Sequence, residues 1–206
     1  MLSAGALKLE QASKLWAYVP SMTALNLADN RLGEEGIVHL VSVFRKFENL
    51  SVLFLNGNEL GDAGVISLMD AMLQTSSPRS LRRIRELHLA QNNLGPVGVR
   101  RICKTFIARL ATGEELFVLN LRENPLTDDA GTAEALAALL AQRSELAELC
   151  LDECQIGDTV ARALAEVLAL SDLEVKVGVE GNEFQSKFGN QLRSLGGRAK
   201  IEDEDE

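Results

Sequence analysis

The apolar positions of this chain fall into one repeated phrase. From Met22 the sequence runs MTALNLADNRLGEEGIVHL, from Leu50 LSVLFLNGNELGDAGVISL, from Ile84 IRELHLAQNNLGPVGVRRI, from Leu116 LFVLNLRENPLTDDAG and from Leu146 LAELCLDECQIGDTVARAL. A degraded sixth copy, VKVGVEGNEFQSKFGNQL, starts at Val175. Each copy carries L-x-L-x-x-N/C-x-L or a close variant. Anchored on the first residue of the L-x-L pair, they fall at Leu25, Leu53, Leu87, Leu119, Leu149 and Val177, spaced by 28, 34, 32, 30 and 28 residues. The pair has period two, so its leucines share one face of a short strand. Eight residues past the loop leucine comes an apolar position at helical spacing: Leu32 to Leu40, Leu60 to Leu68, Leu94 to Ile102, Ile156 to Leu164 and Phe184 to Leu192. The pattern predicts one strand and one helix per copy. Each unit has an apolar face that it cannot bury alone, and stacking the units makes a continuous core.

This phrase, with its long period and the L-G-x-x-G step after the asparagine, resembles the leucine-rich repeat family of the ribonuclease-inhibitor type. The resemblance covers roughly residues 22–195. It implies an α/β fold, a curved right-handed β-α superhelix with about six parallel strands inside and helices outside. It also implies an inward ladder of Asn30, Asn58, Asn92, Asn124 and Asn182 that hydrogen-bonds the backbone at each strand-to-helix turn, with Cys154 in the same slot as a small buried residue. A buried amide suits such a turn, because it donates two hydrogen bonds and accepts two. Gly33, Gly36, Gly61, Gly64, Gly95 and Gly98 read as turn glycines and glycines at the starts of helices.

Three places depart from the pattern. QTSSPRSLRRIREL lengthens the loop before the third strand, the fourth helix AGTAEALAALLAQR carries an insertion of two, and the sixth copy has Val-Gly-Val where leucines are expected. Terminal repeats are usually atypical because they cap, and Lys176 on that last strand discourages edge pairing. Residues 1–21 are expected to form an N-terminal capping helix, with Trp16 and Val19 near its end, or part of a preceding repeat of a longer chain. Residues 22–195 form the repeat domain and 196–206 an acidic tail.

Composition narrows the function. With 46% hydrophobic and 25% charged residues in 206, the chain is globular rather than disordered or collagenous. A net charge of −9 and only nine aromatic residues argue against nucleic-acid binding, which needs cations for phosphates and rings for bases. Three cysteines are too few for a disulfide scaffold, so a reducing compartment is expected. There is no signal-peptide core and no run of 18 apolar residues, so no membrane partner is expected. The expected location is cytoplasmic, with the nucleus as the alternative.

Catalytic chemistry finds few candidates. The two histidines are His39, a surface residue on the first helix, and His88, on the outward side of the third strand. A general base needs a nucleophile and an orienting partner within reach. Cys150 shares a column with His88, but two rungs put them roughly 10 Å apart. Cys150 and Cys154 have no nearby histidine or further cysteine to complete a zinc site, and no phosphate-binding glycine loop occurs. No catalytic, metal or cofactor residue is expected, and the protein is read as a non-enzyme.

The surface carries the functional reading. Alternation points outward a column of Asn26, Phe54, His88, Asn120, Cys150 and Gly178, then Ala28, Asn56, Ala90, Arg122, Asp152 and Glu180, then a third column starting at Asp29. Charge is segregated: residues 79–109 hold eight basic side chains and one acidic, while 110–206 carry a net −13. The basic block, Arg79, Arg82, Arg83, Arg85, Arg100, Arg101, Lys104 and Arg109, reads as a docking patch for an acidic partner or, plainly, as a solvated helix face. The expected function is a protein–protein interaction scaffold. Its footprint takes in Phe54, His88, Asn120, Arg122 and Asp152, with Arg82, Arg83 and Arg101 flanking it. Two alternatives stand beside it: a regulator of a small GTPase, by resemblance to GTPase-activating proteins of this repeat type that end in an acidic stretch, and a segment of a larger cytoskeletal or ciliary assembly.

Overall fold

The computed structural model describes residues 21–74, 81, 83–142, 145–170 and 174–196. The segment before residue 21, Arg79, Arg82, the Ser76–Pro78 stretch and the acidic tail from 197 onward lie outside the described residues.

Strand and helix alternate six times: β1 (Ala24–Asn26), α1 (Gly33–Val43), β2 (Val52–Phe54), α2 (Gly61–Leu73), β3 (Glu86–His88), α3 (Pro96–Leu110), β4 (Val118–Asn120), α4 (Ala130–Ala141), β5 (Glu148–Cys150), α5 (Asp158–Leu170), β6 (Lys176–Gly178) and α6 (Lys187–Gly196). The strands form one parallel sheet in sequence order, and each helix packs on the next. This is the α/β solenoid that the leucine phrase predicts.

The register follows the anchor residues. Leu25 pairs with Leu53, Leu53 with Leu87, Leu87 with Leu119, Leu119 with Leu149, and Leu149 with Val177. From Leu53 to Leu149 these side chains are fully buried, as are Leu55, Leu89, Leu121 and Leu151 two residues on. Each strand therefore puts both members of its L-x-L pair into one core layer. The helices add Ile37, Leu68, Ile102, Leu136 and Leu164, all 0% exposed. At the first repeat, Leu25, Leu27, Leu32 and Leu40 are only partly buried, because among the described residues no repeat stacks on their far side.

The asparagine ladder is present. Asn92 Oδ1 accepts the backbone N–H groups of Asn58 at 3.1 Å and Leu60 at 3.4 Å, and its Nδ2 donates to the carbonyls of Leu55 at 2.8 Å and Ala90 at 2.9 Å. Asn58, Asn124 and Asn182 repeat this arrangement. Asn30, at the open end, is exposed, and its side-chain Nδ2 donates to the Leu27 and Ala28 carbonyls of its own turn. Cys154 is fully buried and its thiol donates to the Leu121 carbonyl at 3.1 Å. Sulfur offers no amide oxygen, so the Leu126 N–H turns to the backbone carbonyls of Asn124 and Cys154. The two-residue insertion of the fourth repeat lies ahead of its helix, not within it: Asp129 caps α4 by accepting from the N–H groups of Gly131 and Thr132.

The turns after the strands share a second signature. Asp29, Gly57, Gln91, Glu123, Glu153 and Gly181, the third column, all have positive φ. At Gly57 a Cβ would also meet the Asp29 carboxylate, which would have to swing aside.

Candidate binding surface

Strand pairing brings Asn26, Phe54, His88, Asn120, Cys150 and Gly178 into one row across the sheet. Their neighbours on either side in the chain are inward-facing leucines, or valines beside Gly178, so sheet alternation turns this row away from the helices. In its middle the Phe54 and His88 rings stack, with centroids 4.3 Å apart and planes at 20°. Both side chains are half-buried, and His88 Nε2 lies 3.9 Å from Glu86 Oε2. Burial pushes the His88 imidazole below its ordinary pKa, while Glu86 and Glu148 pull the other way.

Toward the last repeats the row is bordered by charge held in pairs. Arg122 Nε donates to Asp152 Oδ2 at 2.6 Å, and Asp152 Oδ1 accepts the backbone N–H of Glu180 at 2.8 Å. Lys176 Nζ lies 3.3 Å from Glu148 Oε1. Asn120 Oδ1 accepts the N–H of Arg122, which ties the strand end to the turn. Phe54, His88, Asn120, Arg122 and Asp152 thus form one contiguous surface.

The rest of the outward row and the expected flanking arginines are not equally available. Cys150 belongs to the outward row but is 4% exposed, and its thiol, beside Glu148, is pushed up to about 12 by burial. Arg83 is exposed just ahead of β3 and donates to Asn49 Oδ1 at 2.8 Å. Arg101 stands on α3 and pairs with Asp70 of α2, so it belongs to the helix layer and does not flank the strand face. Arg82 lies outside the described residues.

Arg109 needs a larger correction. The basic block counted it as a surface charge, yet it is 2% exposed. Its Nε donates to Glu114 at 2.9 Å, Nη2 donates to the Ile84 carbonyl at 3.3 Å, and the guanidinium sits 4.9 Å from the centre of the Phe106 ring. The signal was available in the sequence. Ile102, Phe106 and Arg109 follow helical spacing along the buried stripe of α3, and Glu114 follows at the next turn.

Among the described residues, no group of three or more His, Cys, Asp or Glu side chains could hold a metal ion. No helix among them is long and apolar enough to cross a membrane.

Repeated parallel strands, outer helices and a buried amide ladder define a leucine-rich solenoid. A leucine-rich repeat family profile matches residues 20–41, 48–69 and 81–103. The chain is 35% identical over 162 residues to ribonuclease inhibitor of Sus scrofa, across 76% of this chain and 32% of that protein. It is 33% identical over 147 residues to Tonsoku-like protein of Bos taurus, across 71% of this chain and 10% of that protein. It is 30% identical over 149 residues to NACHT, LRR and PYD domains-containing protein 3 of Bos taurus, across 72% and 13%. This chain belongs to the leucine-rich repeat proteins, in their ribonuclease-inhibitor-like form. It spans a third or less of the length of these relatives.

Proposed function

We propose that this protein is a binding scaffold that engages another protein through its strand face and the turns bordering it. The observation that carries this reading is the Phe54–His88 stack, an aromatic pair held half-buried at the centre of the sheet row. Rigid rings surrounded by polar groups are the usual anchors of protein interfaces. Arg122, Asp152 and Glu86 supply that polar surround. The name of one relative, ribonuclease inhibitor, states action on an enzyme, and a strand face of this kind suits the same class of ligand, a folded protein.

Size decides how much else the partner must touch. Six strands at about 4.8 Å and four outward positions at about 3.3 Å give a face of roughly 300 Å². A stable interface needs about 800 Å² on each side. The partner therefore also grips the turn rim, where Glu123, Glu153 and Glu180 are exposed, and the contact weakens with salt because exposed charges are screened over about 8 Å.

The test is quantitative capture from a native lysate with wild type, Phe54→Ala and Arg122→Glu. Loss of the same captured protein in both variants, with folding intact by circular dichroism, supports the reading. Undiminished capture by both places the interface elsewhere. A turnover assay against a panel of small GTPases, run on the same preparations, tests the regulator alternative.

A further inference from the structure

We propose that the cleft between α2 and α3, on the helix layer, is a second binding site whose ligand is an acidic peptide segment carrying an aliphatic side chain. The cleft is shallow and open to solvent, with a volume of about 480 Å³, and is lined by Ile66, Asp70, Val97, Arg100, Arg101 and Lys104. Three cations stand against Asp70 in the lining and Asp129 beside Arg100, which leaves the surface net positive on a protein of net charge −9. Complementarity therefore selects an anionic ligand.

The cations are not equally engaged. Arg100 Nη1 contacts Asp129 Oδ2 at 2.9 Å, which draws its charge toward α4. Arg101 meets Asp70 through Nη2, while its buried Nε has no hydrogen-bond partner among the described residues. Asp70 thus uses only part of the donor set of that guanidinium. Lys104 is exposed, and no salt bridge holds it among the described residues. The cleft therefore offers ligand carboxylates a free ammonium at Lys104 and a second cation at Arg101.

Its apolar walls decide between anions. Val97 is 51% exposed on the first turn of α3, and Ile66 faces it from α2, partly buried. A small inorganic anion would use the cations and leave these side chains wet. A peptide with an aliphatic residue among its carboxylates covers both, and removing apolar area from water adds to the ionic attraction. The site stands on the helix layer, opposite the Phe54–His88 row, so a ligand here leaves the strand face open. The two surfaces are separable by mutation.

The experiment is a fluorescence anisotropy titration of the whole chain against a labelled peptide of Glu and Asp residues around a central Leu-Leu pair. A leucine-free acidic peptide and inorganic phosphate serve as competitors. Lys104→Glu and Val97→Asp change exposed positions, and thermal melts check that both variants fold. Each is expected to weaken binding by about tenfold or more, the leucine-free peptide to compete at least about tenfold less well, and Phe54→Ala to bind as wild type. The proposal is overturned by absence of binding, by full binding to Lys104→Glu and Val97→Asp, or by equal competition from the leucine-free peptide or phosphate. Self-association abolished by Lys104→Glu would likewise overturn it, by assigning the cleft to a second copy of this chain.

Discussion

The Asp128 carboxylate accepts the backbone N–H groups of Thr159 at 3.1 Å and Val160 at 3.0 Å, so a residue in the turn before α4 caps α5 of the next repeat. Asp62, in the first turn of α2, accepts the Gly95 N–H just ahead of α3 at 2.7 Å, and Asp158, the first residue of α5, accepts the Ser186 N–H just ahead of α6 at 3.0 Å. The first N–H groups of a helix have no partner within it, and a negative charge there meets the positive end of the helix dipole. These caps join neighbouring repeats on the helix side, as the asparagines do at the strand side. Asp128→Ala should therefore lower stability by about 1 kcal/mol, the usual cost of a lost cap, in urea denaturation. An unchanged midpoint would mean that water serves the α5 terminus equally well.

The same carboxyl predicts acid sensitivity. Partial burial alone would raise the Asp128 pKa, but hydrogen bonds from Val160, Thr159 and Gly157 outweigh it and hold the group below the ordinary carboxylate value. A depressed folded-state pKa stabilises above the unfolded value and loses that contribution as pH falls through the folded one. The melting temperature should drop as pH is lowered from about 4, and Asp128→Ala should drop less steeply. Parallel slopes for the two proteins would remove Asp128 from the acid response.

His88 is expected to titrate below its ordinary value of about 6.5, because burial beside Phe54 disfavours the imidazolium more than Glu86 and Glu148 favour it. The folded state then binds fewer protons than the unfolded one, so stability falls as pH drops below about 6.5. The pH dependence of the His88 ring resonances in NMR gives the midpoint directly. Phe54→Ala should raise it, since the ring that excludes water is gone. A wild-type midpoint above the ordinary value would show that the two carboxylates dominate.

Arg109, with its side chain 2% exposed, is buried and pairs with a partly buried Glu114. Removing one partner of such a pair strands a charge away from water, so Glu114→Ala should cost about 3–5 kcal/mol. Burial already depresses the Arg109 pKa, against the pull of Glu114. Replacing both residues, Arg109→Met with Glu114→Leu, should recover much of the loss, because neither change then leaves a lone charge. Equal loss in the single and double variants would show that packing, rather than charge, sets the cost.

Leu87 lies at the middle of the sheet and is 0% exposed. Leu87→Ala should cost about 2–5 kcal/mol, measured by chemical denaturation. The whole solenoid should melt in one transition if its repeats are coupled. A cost near zero would contradict the register.

Much of the fold was legible in the residues alone. Period-two leucines can face a core in only one register, and six copies of the phrase leave no room for another, so the residues alone align Leu25 through Val177. The asparagine slots followed from the same alignment. The candidate surface was legible as columns, because a strand alternates whatever it carries. Its contents were decided by the tertiary structure. Phe54 and His88, or Arg122 and Asp152, are separated by about one repeat in sequence, and nothing local marks them as partners. Each side chain on a rung has neighbours at about 4.8 Å on both sides, and packing chooses among them. Arg122 turned to Asp152, Arg101 turned to Asp70 across the helix layer, Cys150 sank beneath its neighbours, and Arg109 entered the core with Glu114. Backbone periodicity is a local property and repeats in the sequence. Burial and ion pairing are settled by competition among side chains that only the stacking of repeats brings together.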